Sequence, residues 1–183
     1  MARPAVALNP VEAAALADLP EGKVRKEVEY GFFGNQSPPR LPFPALVYLR
    51  ALRVLGLELG IEDRRKLLGN IRDALKAQHT PEIVDLSEVL SLKLGPIVRE
   101  LAERVAVFEN WKERLVTRED ILGGEPVFPD SRLAVRRVGA LAERGESTKA
   151  IVEDYPFLKP ADVDFARLYT KAYPRVGRPR ERR

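Results

Sequence analysis

The sequence predicts a mainly α-helical protein with small β-hairpins. Apolar residues recur at the helical spacing of three and four over residues 61–77 and again from Val98 to Trp111. Strict alternation of apolar and polar residues, which is typical of a half-buried strand, is confined to short runs such as residues 89–94. Glycines and prolines mark the ends of most of these segments.

The composition is that of a folded protein without cysteine chemistry. The chain has 183 residues, of which 45% are hydrophobic, and no run of apolar residues is long enough to cross a membrane. It has no Cys, which excludes disulfides, thiolate metal sites and cysteine nucleophiles. The first twenty residues carry one basic residue and no long apolar stretch, so we expect no signal peptide and a cytoplasmic location.

The excess of positive charge is concentrated in the C-terminal tail. The chain has 31 basic and 27 acidic residues, a formal net charge of +4. Residues 175–183, RVGRPRERR, hold five arginines and one glutamate, so the rest of the chain carries equal numbers of both signs. This distribution predicts a basic arm on an uncharged body. The arginines of this arm that we single out for binding are Arg175, Arg178, Arg180 and Arg182.

The sequence offers little support for catalysis. Its one histidine, His79, lies in a polar turn without a second histidine nearby. None of the motifs G-x-x-x-x-G-K-[ST], G-x-G-x-x-G or H-E-x-x-H occurs. The Gly123-Gly124 pair lacks the lysine and the following helix of a phosphate-binding loop. We therefore expect a protein that is not an enzyme, with no metal site and no cofactor.

Residues 9–31 carry the strongest local signal, which is that of two helices joined by a tight turn. Residues 10–17 are alanine-rich and follow Asn9, a good helix N-cap. Residues 21–30 form the second predicted helix, which ends at Gly31 because glycine readily adopts the left-handed conformation that closes a helix.

The same segment has the residue types of a DNA-binding helix-turn-helix. Ala14 is small enough for the place where the helices touch, Leu19 is the apolar turn residue and Val24 points inward early in the second helix. Outward residues of that helix, and one basic residue of the wing-like loop at 32–44, are then available to phosphates and base edges. These candidate DNA-binding residues are Lys23, Arg25, Lys26 and Arg40. The alternative is an ordinary αα-hairpin, because three glutamates, including Glu27, share the second helix.

The middle region predicts a β-pair at 82–86 and 89–94, followed by a long helix that runs from about residue 95 to about residue 115. The apolar stripe of this helix has spacings of 3, 4, 3 and 3. Such a stripe forms either the seam of a homodimer or ordinary core packing, and the residues alone leave both open. The stripe consists of Val98, Leu101, Val105, Phe108 and Trp111.

A second compact unit is expected after a polar hinge at 117–120. It opens with ILGGEPVF, which predicts two β-like pieces around Gly123-Gly124, and continues with helices over about 134–144, 148–154 and 161–172. The predicted organisation has three parts: a winged helix-turn-helix unit at 1–78, a β-pair with a long connecting or dimerisation helix at 79–116, and a β-hairpin and three-helix unit with the basic tail at 117–183.

Both ends of this organisation resemble known bacterial families. EAAALADLPEGKVRKEVEYGFF, the wing-like loop and ALVYLRALRVLGLELGIEDRRKLLGNIRDAL together look like the DNA-binding unit of MerR-like winged-helix proteins, in the version found in VapB-like antitoxins. ILGGEPVFPDSRLAV and LAERGESTKAIVEDYPFLKPADVDFARLY resemble the antitoxin-like domain-of-unknown-function family 433. Asp130 and Ser131 stand where that family has Gly and Thr, and the last helix is expected to expose Asp162 and Asp164 beside Arg167.

The resemblance implies an antitoxin of a type II toxin–antitoxin system. Such a protein neutralises a PIN-like ribonuclease toxin, represses the shared promoter, and binds DNA as a homodimer. In the tail, Arg178-Pro179-Arg180 is similar to an AT-hook core for the minor groove. The same arginines would also pair with carboxylates of an acidic ribonuclease site, and a merely solvated end is the third reading.

Two other functions stay open at this point. One is a protein-interaction module without DNA binding, and the other is a transcription factor outside toxin systems with a small-molecule pocket in the middle region.

Overall fold

The structure is a computed structural model that describes residues 4–77, 79–87 and 90–174. Within these ranges the chain has eight α-helices and one antiparallel pair of strands, which confirms the predicted mainly helical fold class with a small hairpin. The chain divides into two compact units, Met1–Glu113 and Arg114–Arg183. No helix in the described part of the chain is long and apolar enough to cross a bilayer.

The first unit begins with α1 (Pro10–Ala17) and α2 (Glu21–Glu29), at the places that capping signals predict. The Asn9 side chain accepts hydrogen bonds from the first turn of α1, including one from the Glu12 amide at 2.9 Å. Asp18 caps the C-terminal end of α1 in the left-handed conformation, with φ of 59°. Three residues, 18–20, therefore separate the two helices.

The loop between α2 and α3 (Phe43–Leu55) does not form the predicted wing. Leu41 pairs with Leu8 in an isolated antiparallel bridge, with hydrogen bonds of 3.0 and 2.7 Å between their backbones. No strand occurs between residues 30 and 42, all of which the structure describes. The physical reason is that Pro38, Pro39 and Pro42 have no N–H with which to extend a ladder.

Helices α3 and α4 (Ile61–Lys76) supply much of the core of this unit. Tyr48 and Leu49 of α3 are fully buried. Helix α4 buries the predicted stripe of Leu67, Leu68, Ile71 and Leu75.

The unit continues with strands β1 (Ile83–Ser87) and β2 (Leu90–Lys93), which pair antiparallel with a bulge between Asp85 and Ser87. Helix α5 (Leu94–Arg114) follows immediately. Both the β-pair and the long helix occur where the sequence predicts them.

The second unit contains a 3-10 turn (Leu122–Gly124) and helices α6 (Val135–Glu143), α7 (Thr148–Asp154) and α8 (Pro160–Ala172). The prediction of two β-like pieces around the Gly123-Gly124 pair is wrong. Leu122, Gly123 and Gly124 all have positive φ, so the chain curls here and cannot extend as a strand. In the described residues of this unit, β pairing is limited to single bridges from Val127 to Val116 and Ala134.

Helices α6 and α8 approach each other closely at Gly139. A Cβ atom at this position would lie 2.5 Å from the backbone oxygen of Ala166 and 2.0 Å from the Thr170 hydroxyl oxygen. The missing side chain therefore allows the two helices to pack directly together. The core around this crossing contains Val135, Val138, Ile151, Val163 and Phe165.

Candidate nucleic-acid interface

Helix α2 presents its predicted basic residues to solvent. Lys23, Arg25 and Lys26 are exposed, whereas Val24 is fully buried, as expected for an inward residue. Lys23 and Arg25 lie about 200° apart around the helix axis, because each residue advances about 100°. Arg25 therefore lies on one side of the outward face of α2, and Lys23 and Lys26 lie on the other side.

The two flanks differ in their ion pairing. The Arg25 Nε atom donates to the Glu21 carboxylate at 2.6 Å, an exposed pair one helical turn apart. On the other flank Lys23 and Lys26 have no ion-pair partner among the described residues. The unneutralised positive charge of α2 is therefore on the Lys23 and Lys26 side.

Glu27 does not share the outward face, contrary to what its position in a charged helix indicates. It is 5% exposed, its carboxylate accepts a hydrogen bond of 2.7 Å from the Tyr48 hydroxyl, and it forms an ion pair with Arg64. Glu27 follows the inward Val24 by three residues, which places both on one face of α2. That spacing is the signal that would have identified it as an inward residue.

An aromatic and ionic cluster fixes α2 to the two following helices. The Arg64 guanidinium lies 5.2 Å from the ring centroid of Tyr30 and 5.4 Å from that of Phe32. Phe32 stacks on Tyr48 at 5.8 Å between centroids. Burial, and then the hydrogen bond to Glu27, raise the pKa of Tyr48 well above its usual value. We call Glu27, Tyr48, Arg64 and Phe32 the anchor cluster.

A groove of about 350 Å³ lies beside α2 within the first unit. Lys23 and Lys26 line it together with Arg64, whose buried Nε atom has no hydrogen-bond partner in the described part of the chain. The other walls are mainly leucines: Leu19, Leu49, Leu52, Leu57 and Leu59. Sequence reasoning did not find this groove because its walls come from segments that lie far apart in the chain.

The structure does not gather the remaining predicted site residues around α2. Arg40 is exposed in the loop before α3 and is not among the described residues that line the groove. Residues 175–183, and with them Arg175, Arg178, Arg180 and Arg182, lie outside the described residues. The proposed roles of the basic tail in binding DNA or a toxin therefore stay predictions.

The predicted stripe of α5 is divided between core and surface. Leu101, Val105 and Phe108 are at most 1% exposed within a single chain, so they have no surface left to contribute to a partner. Val98 and Trp111, at the two ends of the stripe, are half-buried. Core packing accounts for the three central residues.

The described residues offer no metal site of the usual kind. Among them, no group of three or more His, Cys, Asp or Glu side chains is arranged to hold a metal ion. His79 is exposed.

The last helix corrects one further expectation. Asp162 is 7% exposed, and its carboxylate accepts a hydrogen bond of 2.7 Å from the Lys159 amide at the start of α8. It caps the helix and is not on the outward face, because the first amides of a helix lack partners inside the helix. Asp164 is exposed, as predicted.

Comparison with known proteins finds a family match for most of the second unit. Residues 115–170 match the family described as "Protein of unknown function (DUF433)". This match agrees with the resemblance to domain-of-unknown-function family 433 that the sequence indicates for this part of the chain.

Two further proteins are similar to this chain. An uncharacterized protein, y4eO, of Sinorhizobium fredii (strain NBRC 101917 / NGR234) is 33% identical over 93 residues, which cover 51% of this chain and 42% of that protein. The matched part thus spans less than half of that relative. The crystal structure of Rv2018 from Mycobacterium tuberculosis has a TM-score of 0.33 and 16% identity, over 91% of this chain and 99% of that one.

Proposed function

We propose that this chain is a DNA-binding antitoxin of a type II toxin–antitoxin system that represses its own promoter through α1 and α2. The observation that carries the DNA-binding part is the charge on α2. Lys23 and Lys26 are exposed and unpaired among the described residues, while the carboxylate of Glu27 is turned into the protein.

The proposed geometry places α2 in the major groove, which is wide enough for one α-helix. Helix α1 lies across the three-residue turn, as the first helix of a helix-turn-helix does, and the anchor cluster holds α2 firmly on its own unit. A rigid helix keeps the ammonium groups of Lys23 and Lys26 at constant positions relative to the phosphates. Because such readers bind two-fold operators, the active species in this proposal is a homodimer.

The antitoxin part of the proposal rests on the resemblance of both segments and on the charge of the tail. A PIN-like ribonuclease site holds several carboxylates around Mg²⁺. The guanidinium groups of Arg178 and Arg180 would pair with such carboxylates in bidentate geometry. In this proposal, the tail blocks the toxin while α2 binds the promoter.

The DNA-binding proposal is tested by replacing Lys23 and Lys26 together with alanine. A plot of log affinity against log salt concentration has a negative slope, and each lost phosphate contact should make this slope shallower by about 0.9. The slope of the double variant should therefore be shallower than that of wild type by about 1.8. The measurement is a salt titration of promoter binding by fluorescence anisotropy. The matched control replaces Lys76 and Lys93, two exposed lysines of the same unit that do not line the groove, and should change the slope little.

An unchanged slope in the Lys23 and Lys26 variant, with the fold intact by circular dichroism, would exclude α2 as the DNA-binding helix. The groove beside α2 favours a transcription factor with a small-molecule ligand as the second candidate, because its volume of about 350 Å³ is within the usual range for ligand pockets. This groove lies among residues 19–64 and not in the middle region, where the sequence places such a pocket. If wild-type protein binds no promoter DNA even at low salt, the protein-interaction module becomes the better proposal.

A further inference from the structure

The second unit has a larger groove that the proposed DNA-binding function does not use. It has a volume of about 730 Å³ and follows one face of α6, between the end of α8 and the 3-10 turn. Arg136, Arg137 and Ala140 of α6 line it, together with Arg144, which directly follows the helix. Their spacing places these residues along one face.

The walls of this groove are more positive than the unit as a whole. The described residues 114–174 contain ten basic and ten acidic side chains. Four of these ten basic side chains line the groove, whereas two of the ten acidic side chains do. These charged lining residues are Arg136, Arg137, Arg144 and Lys171, and Glu125 and Glu143.

One of the four cations has a structural task. Arg136 lies 3.9 Å from the Glu125 carboxylate, donates to the backbone oxygen of Tyr173, and stacks over the Tyr169 ring at 5.9 Å. It therefore joins the start of α6 to the end of α8.

The other three cations are on the exposed rim. Arg137, Arg144 and Lys171 are exposed, and Arg137 makes one long hydrogen bond of 3.3 Å to the Tyr155 hydroxyl. Their charges are available to an anionic partner.

The groove also has apolar walls. Ala134, Ala140 and Pro174 line it, and Leu122 stands at its edge with 54% of its surface exposed. Leu122 has a φ of 50°, a left-handed conformation that is uncommon for a bulky side chain. The chain thus holds a large apolar side chain in a strained, solvent-exposed position next to the cations, which points to a binding role.

These observations distinguish between two acidic partners. A nucleic-acid backbone offers phosphate charge but nothing to cover Leu122, Ala140 and Pro174. A peptide that carries both carboxylates and an apolar side chain matches both kinds of wall. Clusters of arginines are a recurring means of recognising acidic peptide motifs.

We propose that this groove of the DUF433 domain binds an acidic peptide segment of a partner protein, with an apolar side chain of that segment packed against Leu122 and Ala140. The inference goes beyond the proposed function, because it assigns a partner surface to the second unit and does not depend on DNA binding by the first. The basic tail directly follows Pro174, a groove-lining residue, in the sequence.

The test measures binding of a fluorescein-labelled hexapeptide of alternating aspartate and leucine to the full-length chain by fluorescence anisotropy. Replacing Arg137 and Arg144 with alanine should weaken binding at least tenfold. The matched control replaces Arg132 and Lys149, which are exposed cations of the same unit outside the groove, and should stay within twofold of wild type. A second variant, Leu122→Ser, should bind the aspartate–leucine peptide more weakly than wild type does. Its weak binding of an aspartate–glycine peptide should equal that of wild type.

Several outcomes would overturn the inference. One is an equal loss of peptide affinity in the groove and control variants, because such a loss indicates general charge attraction. Another is the absence of peptide binding to the wild-type chain at low salt. Stronger competition by duplex DNA than by unlabelled peptide would assign the groove to nucleic acid instead. If the double arginine variant unfolds at a lower temperature than wild type, Lys171→Ala replaces it in the test. Lys171 is also an exposed residue of the groove rim, so weaker peptide binding by this variant supports the same inference.

Discussion

At the residue scale, the side chains around Glu27 determine which charges α2 presents. A buried carboxylate without partners is very costly, but here the Tyr48 hydroxyl and the Arg64 guanidinium both contact it. Phe32 covers one side of Arg64, and the Arg72 guanidinium donates to the Phe32 backbone oxygen at 3.1 Å. The anchor cluster therefore removes one negative charge from the outer surface and attaches α2 to α3 and α4.

Replacing Tyr48 with phenylalanine should destabilise the first unit by about 1–2 kcal/mol, because Glu27 loses a buried hydrogen bond. The pKa of Tyr48 is raised in the folded state, so its contribution to stability is complete below the unfolded value of about 10 and declines as the pH rises above it. In the variant this alkaline decline should become shallower. Urea unfolding at about pH 8 and pH 10.5 measures both effects.

The control for this prediction is Tyr30→Phe. Tyr30 is 46% exposed and contributes its ring, not its hydroxyl, to the contact with Arg64, so neither the stability nor its pH dependence should change much. An alkaline decline of the same steepness in Tyr48→Phe and wild type would contradict the assignment.

At the scale of secondary structure, α5 is joined to α1 and α3 of the first unit by ion pairs and is not a free-standing connector. The Lys112 ammonium lies 3.1 Å from the Glu12 carboxylate of α1, and the Arg50 guanidinium of α3 lies 2.9 Å from Glu100. Between these polar contacts the helix buries an apolar stripe that includes Leu101. Long helices with such stripes often form dimer seams, but here the middle of the stripe is already buried within a single chain.

The variant Leu101→Glu should unfold the first unit or reduce its free energy of unfolding by roughly 3 kcal/mol or more, because the change places an unpaired carboxylate in the core. Val107→Glu makes a comparable change on the same helix at a residue that is 47% exposed, and should stay within about 0.5 kcal/mol of wild type. Urea unfolding and sedimentation together measure the result. A folded, monomeric Leu101→Glu protein from a dimeric wild type would instead support the seam.

At the scale of the whole molecule, the two compact units divide the proposed tasks. The first unit holds the candidate DNA-binding helix, and the second holds the residues that match the DUF433 family, with the basic tail at its C-terminal end in the sequence. Tasks carried by separate units are expected to respond independently to mutation.

Deleting residues 175–183 tests this division. The deletion removes a net charge of +4 and, apart from Val176, no aliphatic residue, so promoter binding through α2 should be kept. Neutralisation of the toxin should be lost, because Arg178 and Arg180 no longer reach its acidic site. Promoter binding and ribonuclease inhibition are measured on the same protein, beside a variant in which both arginines are glutamine.

Loss of DNA affinity, greatest on A·T-rich flanks, with neutralisation intact would favour the minor-groove reading of the tail. If both activities survive the deletion, the tail has neither role.

Local signals in the sequence were sufficient for most of the helices and for the β-pair. Asn9 and Ser147 are N-caps in the structure as predicted, and the Ser147 hydroxyl oxygen accepts from the Ala150 amide at 3.1 Å. Capping, helical periodicity and alternation act over a few residues, which is why they can be read from the chain alone. The same signals failed at Leu122, whose apolar character indicates a strand while its backbone is left-handed.

The tertiary structure alone decided the surfaces that carry the proposals. Nothing within a few residues of Glu27 reveals that Tyr48 and Arg64 will contact it, and Asp162 reads as an outward residue until its capping bond to Lys159 is seen. Both grooves are lined by residues that are distant in sequence and meet only when the helices pack. Sequence by itself determined the mainly helical class, the DUF433 resemblance and the charge of the tail. Burial and long-range contact determined which of the described charged residues are exposed.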